Sequence, residues 1–267
     1  MNLFLMAVST VIYFGSGGKE KYLTAGQYSF PIQSYMMIAY TLFILICFMI
    51  PGISGACVST EREKHTLDFL LTTYLSPGKI IRGKLEACLG VTFFISFSAL
   101  PILSLIMIFG GISILDLFCL VLILIVSSIF ITSIGIFCST VLKKMVTSVS
   151  VSYGIIFMLT VGTVLFLFGV YYFVGSRMVE MEMIAEPNVG AWIYLLYVNP
   201  MVVYYGLLSQ QVGTGFELRQ ICNHFGIYEN SFGITHMLEI SIGIQLTISV
   251  ILLYLATRYI DSQKNDV

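Results

Sequence analysis

The chain has 267 residues, 58% of them hydrophobic and only 10% charged, where soluble domains carry about 25% charged residues. A mean hydropathy of +0.95 excludes a soluble globular domain and a disordered chain, and leaves a polytopic membrane protein. The formal net charge of −1 says little about partners, because what informs is how the charges are segregated along the chain.

Residues 1–14 are apolar but short, spanning about 21 Å as a helix, and no basic residue precedes them. They have neither the charged opening nor the small-x-small cleavage site of a signal peptide. A clipped or tilted first helix is expected, which an upstream basic segment would complete. Residues 15–20 read Gly-Ser-Gly-Gly-Lys-Glu, but a phosphate-binding loop needs Gly five residues before its Gly-Lys pair and Ser or Thr after it. Those places hold Tyr13 and Glu20, so ATP is not bound by this route.

Crossing about 30 Å of hydrocarbon takes about 20 apolar residues. Five runs suffice: residues 35–58, 85–109, 115–142, 147–174 and 238–259. Small residues within them, Gly135, Ser148, Ser152, Gly154 and Gly162, permit close helix packing. With residues 1–14 as the first of six spans, one side holds Arg62, Lys64, Lys79, Arg82, Lys84, Lys143, Lys144, Arg258 and Lys264. The other holds only Lys19, Lys21, Arg177 and Arg219, among more acids. The bias of basic residues toward the inner side then places both termini in the cytoplasm.

The connector, residues 59–84, is the most charge-dense stretch. Leu67, Leu70, Leu71 and Tyr74 recur at i, i+3, i+4 and i+7, and predict a short amphipathic helix over residues 61–74. Ser76 then offers an N-cap and Pro77 a first helical residue for the next span. Pattern alone leaves open a helix that merely lies on lipid.

Residues 191–208 are apolar enough to span, but Asn199-Pro200 sits in their middle and Pro kinks a helix. Two half-helices dipping into the outer interface are expected. Trp192, Tyr194, Tyr197, Tyr204 and Tyr205 would lie at headgroup depth.

Several kinds of chemistry lack their residues. The six cysteines are scattered, with no disulfide framework or metal spacing; Cys222 alone lies in the outer loop. His65, His224 and His236 show no metal motif, and no paired acids or nucleophile suggest an intramembrane enzyme. Glu86, Asp116 and Glu239 fall near span ends. Glu86 and Glu239 are the candidates for a substrate route or subunit interface.

From Glu61 to Lys84 the chain reads Glu-Arg-Glu-Lys-x-Thr-Leu-Asp-Phe-Leu-Leu-Thr-Thr-x-Leu-Ser-Pro-x-x-Ile-x-x-Gly-Lys. This resembles the signature of type-2 ABC transporter permeases, which usually runs acidic-basic-acidic-basic-Gly-Thr-Leu; here His65 replaces the Gly. The resemblance extends from the second span to the end, including the Lys143-Lys144 turn and the Asn199-Pro200 pair.

With the six spans read from the residues, the chain is expected to be a single all-α permease domain over residues 1–267 with an outer loop at 175–237, and the resemblance implies a coupling helix between the second and third spans. It implies a bacterial plasma-membrane exporter driven by a separate cytoplasmic ATPase that carries ATP and Mg, with no cofactor or catalytic residue in this chain. Leu67, Leu70, Leu71 and Tyr74 would pack against the ATPase, while Glu61, Arg62, Glu63 and Lys64 fix register. The other expected partners are lipid and a second permease subunit, identical or related; nucleic acid is not among them. The rival readings are an ion-coupled secondary transporter, which needs ionisable groups or broken helices at the bilayer midplane, an intramembrane enzyme, and a scaffold.

Overall fold

Inside a bilayer no water is available to bond backbone polar groups, so long apolar runs close their hydrogen bonds as helices. A computed structural model describes residues 29–67, 76–108, 112–180, 188–212, 222, 225–226, 233 and 236–265, and every element along them is helical. In chain order these are α1 (Ser29–Ala56), the short α2 (Ser59–Glu63), α3 (Pro77–Ile108), α4 (Ile114–Val141) and α5 (Met145–Phe157). A π turn (Met158–Gly162) carries α5 into α6 (Thr163–Glu180), followed by a 3-10 segment (Gly190–Val198), α7 (Pro200–Val212) and α8 (Met237–Asn265).

Five helices are long and apolar enough to cross a membrane: Ser34–Glu63, Pro77–Ile108, Ile114–Val141, Met145–Arg177 and Met237–Ser262. They match the five expected runs, and the chain is an all-α polytopic membrane protein. The expected first span, residues 1–14, lies outside the described residues, as do Leu70, Leu71 and Tyr74. The span Pro77–Ile108 opens on a proline, whose missing N–H costs nothing in a first turn, and the Lys79 and Ile80 amides bond the Ser76 carbonyl.

α4 is the central post. It packs against α1, α3, α5, α7 and α8, and its residues 130–136 are buried without interruption, as a helix apolar all round requires. Tyr35, Ile38, Leu42, Ile46 and Ile50 of α1 share its main core with Leu120, Leu124 and Ile131 of α4. At Gly135 a Cβ would overlap Ser54 Oγ and lie 2.7 Å from Ser54 Cβ, so glycine is what lets α1 and α4 touch. Ser148 on α5 donates to the Gly55 carbonyl at 2.7 Å. Gly154, expected to serve packing as well, has open space where a Cβ would sit.

The 3-10 segment and α7 meet at Asn199-Pro200 and bend by 89°, so the break falls where the proline pair placed it. The expected aromatic belt is only half observed. Trp192 and Tyr194 are exposed, but Tyr197 and Tyr204 are buried. Tyr204 donates to the Ala39 carbonyl of α1 at 2.7 Å and stacks on Phe43 at 4.8 Å between ring centroids. With its hydroxyl satisfied, the ring can enter the core, and this draws α7 into the bundle.

Candidate functional site

The site lies at the end of the bundle where α1 ends, α3 begins and α4 turns into α5. It is built from polar groups at helix termini. An α-helix leaves four N–H groups at its start and four C=O groups at its end without partners, and here each terminus is completed by a residue from another helix.

At the start of α2, Val58 offers no side-chain cap. The Ser139 hydroxyl of α4 accepts instead from the Val58 and Ser59 amides, at 2.8 and 2.9 Å. Arg62 reaches the other way. Its guanidinium donates to the Thr140 carbonyl at 2.9 Å and the Leu142 carbonyl at 3.4 Å, placing a cation at the negative end of α4, where the helix dipole favours it.

Glu63 does the converse for α5. The N-cap residue Lys144 makes no side-chain cap, and Glu63 Oε1 accepts the Met145 amide at 2.8 Å, so a carboxylate meets the positive end of that helix. Glu61 turns to α3. Lys84 Nζ donates to Glu61 Oε1 at 2.7 Å and to the Cys57 carbonyl at 2.6 Å, and the two side chains are only 16% and 30% exposed. Glu61 Oε2 is buried with no partner among the described residues. Consecutive side chains of α2 thus grip α3, α4 and α5.

The expected continuous helix over residues 61–74 is corrected here. α2 ends at Glu63 and His65 adopts φ +55°, a left-handed conformation that a side chain disfavours and glycine accepts freely. The His65 amide bonds the Arg62 carbonyl at 3.1 Å and the Thr66 hydroxyl donates to the Glu61 carbonyl at 3.1 Å, which closes the helix end as a left-handed cap does. Residues 66–67 are helical again. The position where the resembled signature carries Gly is therefore the one that needs it, and the described residues 59–67 are two helical pieces joined at a corner.

That corner separates the charged residues 61–64 from Leu67. Leu67, expected to meet a partner, is 2% exposed and packs with Val58, Ile80, Ile81, Ile136, Ala256 and Ile260, which gives it no free face. Lys64 and His65 are exposed. The candidate substrate-route acids stand apart: Glu86 pairs with Arg82 at 2.8 Å and Glu239 with His236 at 2.9 Å, all four side chains well exposed. Asp116 forms a capping box with Ser113 at the start of α4. Among the described residues, no three His, Cys, Asp or Glu side chains come together as a metal site requires.

A family model described as ABC-2 family transporter protein matches residues 3–259. The chain belongs to that family. It is thus a permease of ABC-2 type, a membrane transport component, and the match covers every anchored residue of the connector. No curated protein matches the permease.

What reading the permease sequence missed was Ser139 and the Met145 amide. A serine in an apolar helix carries no local signal, and a backbone N–H carries none at all. Lys84 was visible among the basic residues of one side, but not as the partner of Glu61.

Proposed function

We propose that this permease is the membrane subunit of an ATP-driven exporter in a bacterial plasma membrane, with the connector end and both termini in the cytoplasm. A separate ATPase, holding ATP and Mg, engages the connector through Lys64 and the Leu70, Leu71 and Tyr74 stripe. The permease pairs with a second permease subunit, and each takes one ATPase.

The observation that supports this is the anchoring of α2. A linker needs no rivets, whereas a segment that must transmit force between subunits needs rigid contacts to what it moves. Glu61, Arg62 and Glu63 serve as the rivets, each seated on a different helix, so a displacement of the connector moves α3, α4 and α5 together. ATP-driven closure of the ATPase pair then favours one bundle arrangement over another, and the populations of inward-open and outward-open states shift accordingly.

Co-purification and vesicle transport test the proposal. An ATPase should be retained by the tagged permease, and export into inside-out vesicles should need ATP and survive ionophores. Leu70→Asp should abolish stimulated ATP hydrolysis while the permease stays in the membrane. Transport that collapses with the ion gradient and ignores ATP would overturn it.

A further inference from the structure

The span Met145–Arg177 is not uniform. At Met158–Gly162 it widens into a π turn, in which the Thr163 amide reaches back five residues to the Met158 carbonyl. A turn of this kind takes up one residue more than an α turn, and such bulges collect at functional positions.

The group that holds the wide turn comes from the bent pair. Asn199 is fully buried, and its Nδ2 donates to the Thr160 carbonyl and to Thr163 Oγ1, both at 2.8 Å. These two bonds use both protons of the amide. Its Oδ1 accepts the Met201 amide at 2.8 Å, so the same side chain sets the first turn of α7 at the 89° corner. The threonine hydroxyls donate to the Ile156 and Leu159 carbonyls at 2.8 Å and have no proton left to take over the amide's role.

Beyond this point α6 packs through Leu167, in a cluster with Val189, Ile193 and Leu196, and through Phe168 and Tyr171, whose rings lie edge-on to Phe225 at 5.1 and 5.8 Å between centroids, contacts that a change of register must exchange. The span is the least buried of the five. Leu165, Phe166, Phe168, Tyr172 and Phe173 of α6 are exposed, and among its described side chains only Thr163 and Leu167 are buried.

We propose that Met158–Gly162 is a register switch latched by Asn199. With the amide seated, the wide turn is retained. When the bent pair shifts and withdraws it, the turn relaxes to α-helix, and α6 rotates against α5 by about 100°, one residue of register. The bent pair and the span Met145–Arg177 are then two faces of one two-state element. A role for this element in the transport cycle rests on the proposed function, but the existence of the two registers does not.

The test is spin labels placed singly along residues 164–173 of the full-length permease in nanodiscs, reading oxygen accessibility without ATPase or nucleotide. Wild type should show its deepest minimum at Leu167, between the exposed Phe166 and Phe168. In Asn199→Leu that minimum should move one residue toward the N-terminus, to Phe166. Thr163→Val, which removes one of the two acceptors at nearly constant volume, should move the pattern the same way, and Thr163→Ser should leave it in place. Should Asn199→Leu fail to fold, the two threonine variants decide. An unmoved pattern in a folded Asn199→Leu or, failing that, in Thr163→Val overturns the latch. Because no partner enters the measurement, that result is separable from a failure of the ATPase assignment.

Discussion

Glu63 and Met145 lie 82 residues apart in sequence, yet the Glu63 carboxylate accepts the Met145 amide at 2.8 Å. The second member of a helix pair is thus started by a side chain from the connector. Removing an N-terminal cap costs about 1 kcal/mol, so Glu63→Ala is expected to lower the thermal midpoint of the purified permease by a few degrees. Glu63→Gln, which keeps an acceptor oxygen and loses the charge, should fall between it and wild type. Midpoints that are equal across all three would remove the cap.

His65 sits at φ +55°, where a side chain costs about 1–2 kcal/mol relative to a right-handed residue. His65→Gly relieves this and loosens the unfolded chain, so a net gain of up to about 1 kcal/mol is expected. His65→Val, with a branched Cβ, should be destabilising. Thermal unfolding of the three proteins checks the order Gly, His, Val, and a reversal of Gly and His would show that the corner is not left-handed.

These two residues also mark where the sequence was legible and where it was not. The five described spans, the proline start at Pro77 and the break at Asn199-Pro200 follow from local chemistry and were readable. The expected helix over residues 61–74 assumed an unbroken axis, and the axis breaks after Glu63. A single residue at positive φ turned Leu67 into the core. Contacts such as Arg62 to the Thr140 carbonyl join a side chain to a distant backbone group, which has no signature in composition or spacing. The same holds for Tyr204, whose burial depends on a carbonyl of α1 being within reach.

Gly135 faces Ser54 where α1 and α4 cross. Gly135→Ala forces the helices apart, and overpacking of this kind costs about 1–3 kcal/mol. The double variant Gly135→Ala with Ser54→Gly should recover most of the loss, as read by the temperature at which half the permease aggregates. Absence of recovery would mean that the two residues do not set the spacing.

Cys222 is buried beside Met237 and Phe225, and burial pushes its thiol up to about 11. Because the shift favours the protonated form, and the thiolate is the reactive species, Cys222 should resist maleimide at pH 8 in the folded permease. It should react readily at the same pH once the protein is unfolded in dodecyl sulfate. A variant retaining Cys222 and lacking the other five cysteines gives the readout, and fast labelling of the folded form would contradict its burial.

The connector as the seat of the ATPase is tested most directly at Lys64, which is exposed at the corner after α2. In Lys64→Cys, a membrane-impermeant maleimide should label position 64 in inside-out vesicles and not in intact cells, and bound ATPase should protect it. Labelling from outside intact cells, or labelling from the inner face that the ATPase leaves unchanged, would contradict the account.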